Sequence, residues 1–109
     1  MKDLVIVPRK MADADISAIA NRYRAGAGAA ALDDFITALD LALINIGCLP
    51  ENGSLRYAEE LGIAKLRTWP VGRLPYLLFY IERPTHIDLW RVLHKQRDIP
   101  ARLRVPTRP

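Results

Sequence analysis

The sequence has a single cysteine, Cys48, and only two histidines, His86 and His94. One thiol cannot close an internal disulfide, and the ligand set of a zinc site is missing, so neither a metal nor a cofactor is expected. Phosphate-loop and dinucleotide glycine signatures are absent, as is a Ser/His/Asp arrangement, which removes the commonest nucleotide-binding and hydrolytic chemistries. No apolar run approaches the roughly 18 residues that span a bilayer, and the N-terminus lacks the basic, apolar and small-residue layout of a secretory leader. A cytoplasmic protein without a membrane partner is expected.

What is present is the composition of one ordinary globular domain: 109 residues, 50% hydrophobic and 26% charged. The excess charge of +4 is unevenly spread, with five Lys/Arg against seven Asp/Glu in residues 1–54 (−2) and eleven against five in residues 55–109 (+6). Twelve of the sixteen cations are arginines, whose planar fork suits carboxylates and phosphates. Arg91, Lys95, Arg97, Arg102, Arg104 and Arg108 crowd the C-terminal stretch, so an acidic partner is the natural inference.

Along the chain, Leu4-Val5-Ile6-Val7 closed by Pro8 reads as a strand. From an N-cap at Asp13 or Asp15, the apolar positions Ile16, Ile19, Ala20 and Tyr23 predict an amphipathic helix ending at Gly26. Leu32, Phe35, Ile36, Leu39, Leu43 and Ile46 form a second stripe that stops at Gly47, completing a helical hairpin. Pro50 to about Gly62 reads as a polar, mobile connection. Ala64 to Val71, Leu74 to Glu82 and Ile87 to His94 then read as three strands, joined by turns short enough to pair them antiparallel. The expected fold is α+β, in β-α-α-β-β-β order: a two-layer domain over 1–109 with the hairpin on one face of a small, mainly antiparallel curved sheet. The other face is expected to stay partly open. A helical turn is expected near Pro100 to Leu103, within a basic tail of about 101–109.

The stretch Lys65-Leu66-Arg67-Thr68-Trp69-Pro70-Val71-Gly72-Arg73, then Pro75 to Tyr80 and Arg91-Val92-Leu93-His94-Lys95-Gln96-Arg97-Asp98-Ile99-Pro100, resembles the RelE/ParE superfamily of bacterial toxins, its ParE branch most. Ala14 to Ile19 with Tyr23, and Ala30 to Phe35, are similar to that branch's helical hairpin. The resemblance implies the toxin of a type II toxin–antitoxin system, held inactive in a hetero-oligomer by a ParD-like antitoxin with an acidic C-terminal segment. ParE-like members poison DNA gyrase; RelE-like members cut mRNA at the ribosome. A third alternative is a non-toxic module that regulates its own operon with the antitoxin.

Cutting RNA through its 2′-hydroxyl needs a base, an acid and cations for the charge developing on phosphorus. Lys65, Arg67, Arg91 and His94 are the residues that could supply them. The set is incomplete beside RelE-like members, since the third strand opens with Pro75-Tyr76 and no tyrosine follows Tyr80. Action by protein binding is therefore the leading expectation. Its target-binding residues would be Arg67, Arg73, Arg91, His94, Lys95, Arg97 and Arg102. The antitoxin would be met by Ile16, Ile19, Tyr23, Tyr76, Tyr80, Arg91 and Arg97, with one of its strands added to an exposed sheet edge. The bland alternatives are ordinary core for Ile19 and Tyr23, a strand-end histidine bonded to a backbone carbonyl for His94, and packing for Trp69 and Trp90. Arg91 in an apolar strand either faces the open side of the sheet or meets a carboxylate such as Asp98 or Glu82, and Arg97-Asp98 could itself be an ion pair fixing the tail.

Overall fold

The computed structural model describes residues 2–99. Strand β1 (Val5–Pro8) leads into helix α1 (Lys10–Gly26), which turns through Gly28 into α2 (Ala29–Cys48). A 3-10 turn (Pro50–Asn52) and a short α3 (Arg56–Leu61) precede β2 (Arg67–Pro70), β3 (Tyr76–Glu82) and β4 (His86–His94). The sheet order is β1-β4-β3-β2, with β1 parallel to β4 and the other pairs antiparallel. This is the expected α+β arrangement. The tail, including Arg102 and the turn expected near Pro100 to Leu103, lies outside the described residues.

Helix α2 buries Phe35, Leu39, Ala42 and Ile46, spaced by three or four, and α1 buries Ala12 and Ile19. Both stripes face Leu78 and Tyr80 of β3 and Ile87, Leu89 and Val92 of β4, which form the main core.

Three local expectations are corrected. Helix α1 begins at Lys10, with no side-chain cap from Asp13 or Asp15. The Arg9 N–H is still bonded to the Leu89 carbonyl, and the Arg9 carbonyl already accepts from Asp13 N–H, so the chain passes from ladder to helix within one residue. Strand β2 starts only at Arg67, because Lys65 takes a left-handed φ of 67° and Leu66 N–H turns back to Ile63 O. The supposed loop contains α3, closed by Gly62 at φ 68°, whose N–H reaches Glu59 O while Ile63 N–H reaches Ala58 O.

The largest correction follows from α3. Its Tyr57, Ala58 and Leu61 lie with Ile63 over a second apolar layer of Leu66, Phe79, Ile81, Leu93 and Ile99. The sheet face opposite the hairpin is thus covered across β2, β3 and much of β4 by the chain's own residues. It does not form the open concavity that the strand and helix count suggested.

Candidate functional site

The residues singled out in the sequence fall at two ends of the sheet. His94 pairs with Tyr76, at the start of β3, whereas Arg67 pairs with Tyr80, four positions further along. At roughly 3.3 Å per residue, those levels are about 13 Å apart along the strand. Lys65, Arg67, Arg91 and His94 therefore do not converge on one phosphate.

At the His94 end, the strand stops in a self-bonded turn. The His94 N–H donates to Asp98 Oδ2 (3.1 Å), and the Asp98 N–H donates back to the His94 carbonyl (3.1 Å). The imidazole Nδ1 accepts the backbone N–H groups of Gln96 (3.1 Å) and Arg97 (3.3 Å). An Nδ1 lone pair engaged in this way places the ring proton on Nε2 and leaves the neutral ring without a free basic nitrogen. Desolvation by burial, and then the charge of Arg97, lower its pKa. His94 is accordingly a turn-forming acceptor. The expected bond to a backbone carbonyl is replaced by bonds from backbone N–H groups.

This turn carries Lys95 and Arg97, both exposed, and the Lys95 N–H ties it to Pro75 O (2.9 Å) in the β2–β3 connection that also bears Arg73. Arg22 of α1 adds a further cation acting on the His94 ring. Sequence reading missed Arg22, since only packing of the helix over the sheet brings it to this end. Behind these cations stands an aromatic cluster: Tyr23 and Phe35 stack with centroids 5.5 Å apart, and the Tyr76 and His94 rings meet nearly perpendicular with centroids 5.4 Å apart.

Arg91 is occupied elsewhere. Its Nε and Nη2 donate to Asp15 Oδ2 (2.8 Å) and Oδ1 (2.9 Å), and the Val92 N–H adds a third bond to Oδ2 (2.9 Å). Its partner is thus Asp15 of α1, not Asp98 or Glu82, and it is unavailable to a ligand. The Arg97-Asp98 ion pair is likewise not formed, because the Asp98 carboxylate caps His94 N–H. A register shift in the β3–β4 pairing falls between Phe79 and Tyr80, opposite Arg91 and Leu89, and leaves Trp90 without a partner of its own.

Of the residues expected to meet an antitoxin, Ile19, Tyr76 and Tyr80 are buried in the core, and Ile16 and Tyr23 are half-buried against it. Tyr80 is fixed by its hydroxyl donating to Pro50 O (2.7 Å), and burial pushes its pKa up to about 12. Arg97 alone of that set is freely exposed.

At the other end, Lys65, Arg67, Glu82, Arg83 and Pro84 line a cavity of about 400 Å3. Arg67 donates to Gly53 O (2.8 Å), and Glu82 pairs with Lys2. Beside it, the Asp88 carboxylate receives Arg9 through two bonds of 2.9 Å, Arg83 through bonds of 3.1 and 2.8 Å, and Trp90 Nε1 (3.3 Å). Those donors, Arg9 foremost, hold the Asp88 pKa down at about 2. Arg9 also stacks over the Trp90 ring at 4.3 Å, so Trp90 serves packing and orientation. Trp69, half-buried, lines a separate cavity of about 520 Å3 with Arg56, Tyr57 and Lys95.

Both sheet edges are blunted as templates. Ser54 pairs with Thr68 along the outside of β2, and on β1 the Leu4 N–H is taken by Gly47 O while Pro8 has no N–H. Among the described residues no group of His, Cys, Asp or Glu could hold a metal ion, and no helix is long and apolar enough to cross a membrane.

Residues 6–99 match the family model described as the ParE toxin of the type II toxin-antitoxin system, parDE. Among solved structures, the chain is similar to the one titled "Chromosomal ParDE TA system from P. aeruginosa", with a TM-score of 0.69 at 17% identity, covering 84% of this chain and 96% of that one. No curated protein matches the sequence.

Proposed function

The chain belongs to the ParE toxin family of type II toxin–antitoxin systems, and from that premise we propose that it arrests growth by gripping DNA gyrase through protein contacts, without cutting RNA, and that a ParD-like antitoxin neutralises it. The observation that carries the reading is the state of His94. With Nδ1 engaged by two backbone N–H groups and the pKa lowered, the ring is suited to building a turn and poorly suited to proton transfer at neutral pH. The withdrawal of Arg91 into its bond with Asp15 and the placement of Lys65 and Arg67 at the far end of the sheet support the same reading.

The surface offered to the target is the cationic rim of Arg22, Arg73, Lys95 and Arg97. An antitoxin bearing an acidic segment fits the same rim by charge, so toxin action and neutralisation compete for one set of side chains. With both sheet edges largely occupied, contact through these side chains takes precedence over addition of a strand.

The test is a DNA cleavage assay with purified gyrase and supercoiled plasmid. The chain should accumulate covalently trapped broken DNA, and a Lys95→Glu, Arg97→Glu variant should lose at least about 1.4 kcal/mol of apparent affinity, a tenfold shift in the dose required. Absence of trapped DNA, together with shortened mRNAs in a translating extract, would overturn the proposal in favour of ribonuclease action.

A further inference from the structure

Helix α2 carries Asp33, Asp34 and Asp40 and not one Lys or Arg, in a chain whose net charge is positive. Its outer side exposes Ile36, Leu41 and Ile44, the last 61% exposed. Between α2 and β1 runs a groove of about 500 Å3, with an apolar floor including Leu4, Leu43 and Ile44 and with Asp3 and Asp40 on its rim. Such a surface repels an acidic segment and calls for an apolar one bearing cations.

The edge of β1 beside this groove is blunted but not closed. The parallel ladder to β4 engages alternate residues, as the Arg9 N–H to Leu89 O bond shows, so Leu4, Ile6 and Pro8 direct their backbone groups outward. Leu4 N–H is taken by Gly47 O and Pro8 has none to give, which leaves Ile6 able to receive an extended segment through both its N–H and its carbonyl.

One stretch of this chain has the required chemistry. Ala101-Arg102-Leu103-Arg104-Val105 alternates cationic and apolar residues, is followed by Pro106, and lies beyond residue 99, where the family match ends. Alternation of this kind puts Leu103 and Val105 on one side of an extended segment and the arginines on the other. We infer that the segment 101–105 of one copy occupies the α2/β1 groove of a second copy, its apolar residues against Leu43 and Ile44 and its arginines against Asp3 and Asp40. Reach selects a second copy. Ile99 is buried against Phe79 and Leu93 on the sheet face away from the hairpin. To seat Leu103 in its own groove, the chain would have to cross β4 and β1 and descend past the sheet edge, more than ~15 Å, on about four residues spanning ~13 Å. Reciprocal exchange of two tails gives a closed two-fold dimer.

The test is sedimentation velocity of the full-length chain over a range of concentrations and salt. A dimer weakened by salt is expected, and Arg102→Asp with Arg104→Asp should raise its dissociation constant about tenfold, as should Asp3→Arg with Asp40→Arg. Combining the two pairs of reversals should restore association, a result that loss of folding cannot mimic. Association unaffected by either pair of changes would overturn the inference and place the contact between folded surfaces. A chain monomeric at every concentration would overturn it as well, whether the groove is then empty or filled by its own tail.

Discussion

Asp15 and Arg91, 76 residues apart in sequence, meet in a two-point bond that fastens the middle of α1 to β4, at side-chain exposures of 11% and 9%. The same Asp15 oxygen also holds the Val92 N–H, so one carboxylate fixes both a side chain and the backbone beside the register shift. Removing it strands a buried guanidinium. Asp15→Ala should cost about 3–5 kcal/mol in denaturant unfolding, whereas Asp15→Ala combined with Arg91→Met should recover much of that loss. Equal destabilisation of the single and double variants would show that the pair is not the source.

The second buried carboxylate sets an acid limit. Asp88 has its pKa depressed from 3.8 to about 2 by Arg9 and then Arg83. Its contribution is fully present above the unfolded value, fades below it, and is lost as pH falls through about 2. The stabilisation at neutral pH is on the order of 2 kcal/mol, and Asp88→Asn should remove most of it while flattening the unfolding curve between pH 4 and pH 2, about the interval of the shift. An Asp88→Asn variant as acid-sensitive as the parent would contradict this assignment.

The helical hairpin is legible in the sequence as a periodic pattern, as with Phe35, Leu39 and Ile46 along α2, and the later strands as one alternating stretch and two apolar runs set off by short turns. Helix α3 escapes such reading: six residues are too few to show a period, and Tyr57, Ala58 and Leu61 declare a face only once Phe79 and Ile99 lie beneath them. The cations of the C-terminal half are visible as a cluster, but their division between two ends of the sheet depends on the pairing of Arg67 with Tyr80 and of His94 with Tyr76. Nor does local sequence assign Asp15 to Arg91 or Arg22 to the surroundings of His94. Both are consequences of how α1 crosses the sheet.

Gly53 is required by a close approach. A Cβ there would stand 2.0 Å from the Tyr80 hydroxyl, the group that donates to Pro50 O, and 3.1 Å from Arg67 Cβ. Gly53→Ala should therefore displace the ring and destabilise the fold by roughly 1–3 kcal/mol. Tyr80→Phe loses the hydrogen bond and leaves the Pro50 carbonyl with only the long bond from Gly53 N–H (3.5 Å), costing about 1 kcal/mol. In the double variant the two losses should be less than additive, since without the hydroxyl the closest contact is gone and only that to the ring Cζ at 2.9 Å still forces a shift; thermal unfolding of the four chains measures this directly.

His94 supplies the sharpest separation of chemistry from architecture. Asparagine can present its Oδ1 where the imidazole presents Nδ1, accepting the N–H groups of Gln96 and Arg97, but it cannot transfer a proton at neutral pH. His94→Asn should retain growth arrest within about threefold, and His94→Ala, which frees the turn carrying Lys95 and Arg97, should weaken it by about tenfold or more. Equal inactivity of both variants would restore a catalytic role. The same geometry fixes the sign of the pH response. Protonated Nδ1 cannot accept, and the folded pKa lies below the ordinary value of 6.5. Stability from the turn is thus present above pH 6.5 and is lost as pH falls through the lowered folded value. Amide exchange at Gln96 and Arg97 should accelerate over that descent in the parent chain, beyond its intrinsic pH dependence, and not in His94→Asn.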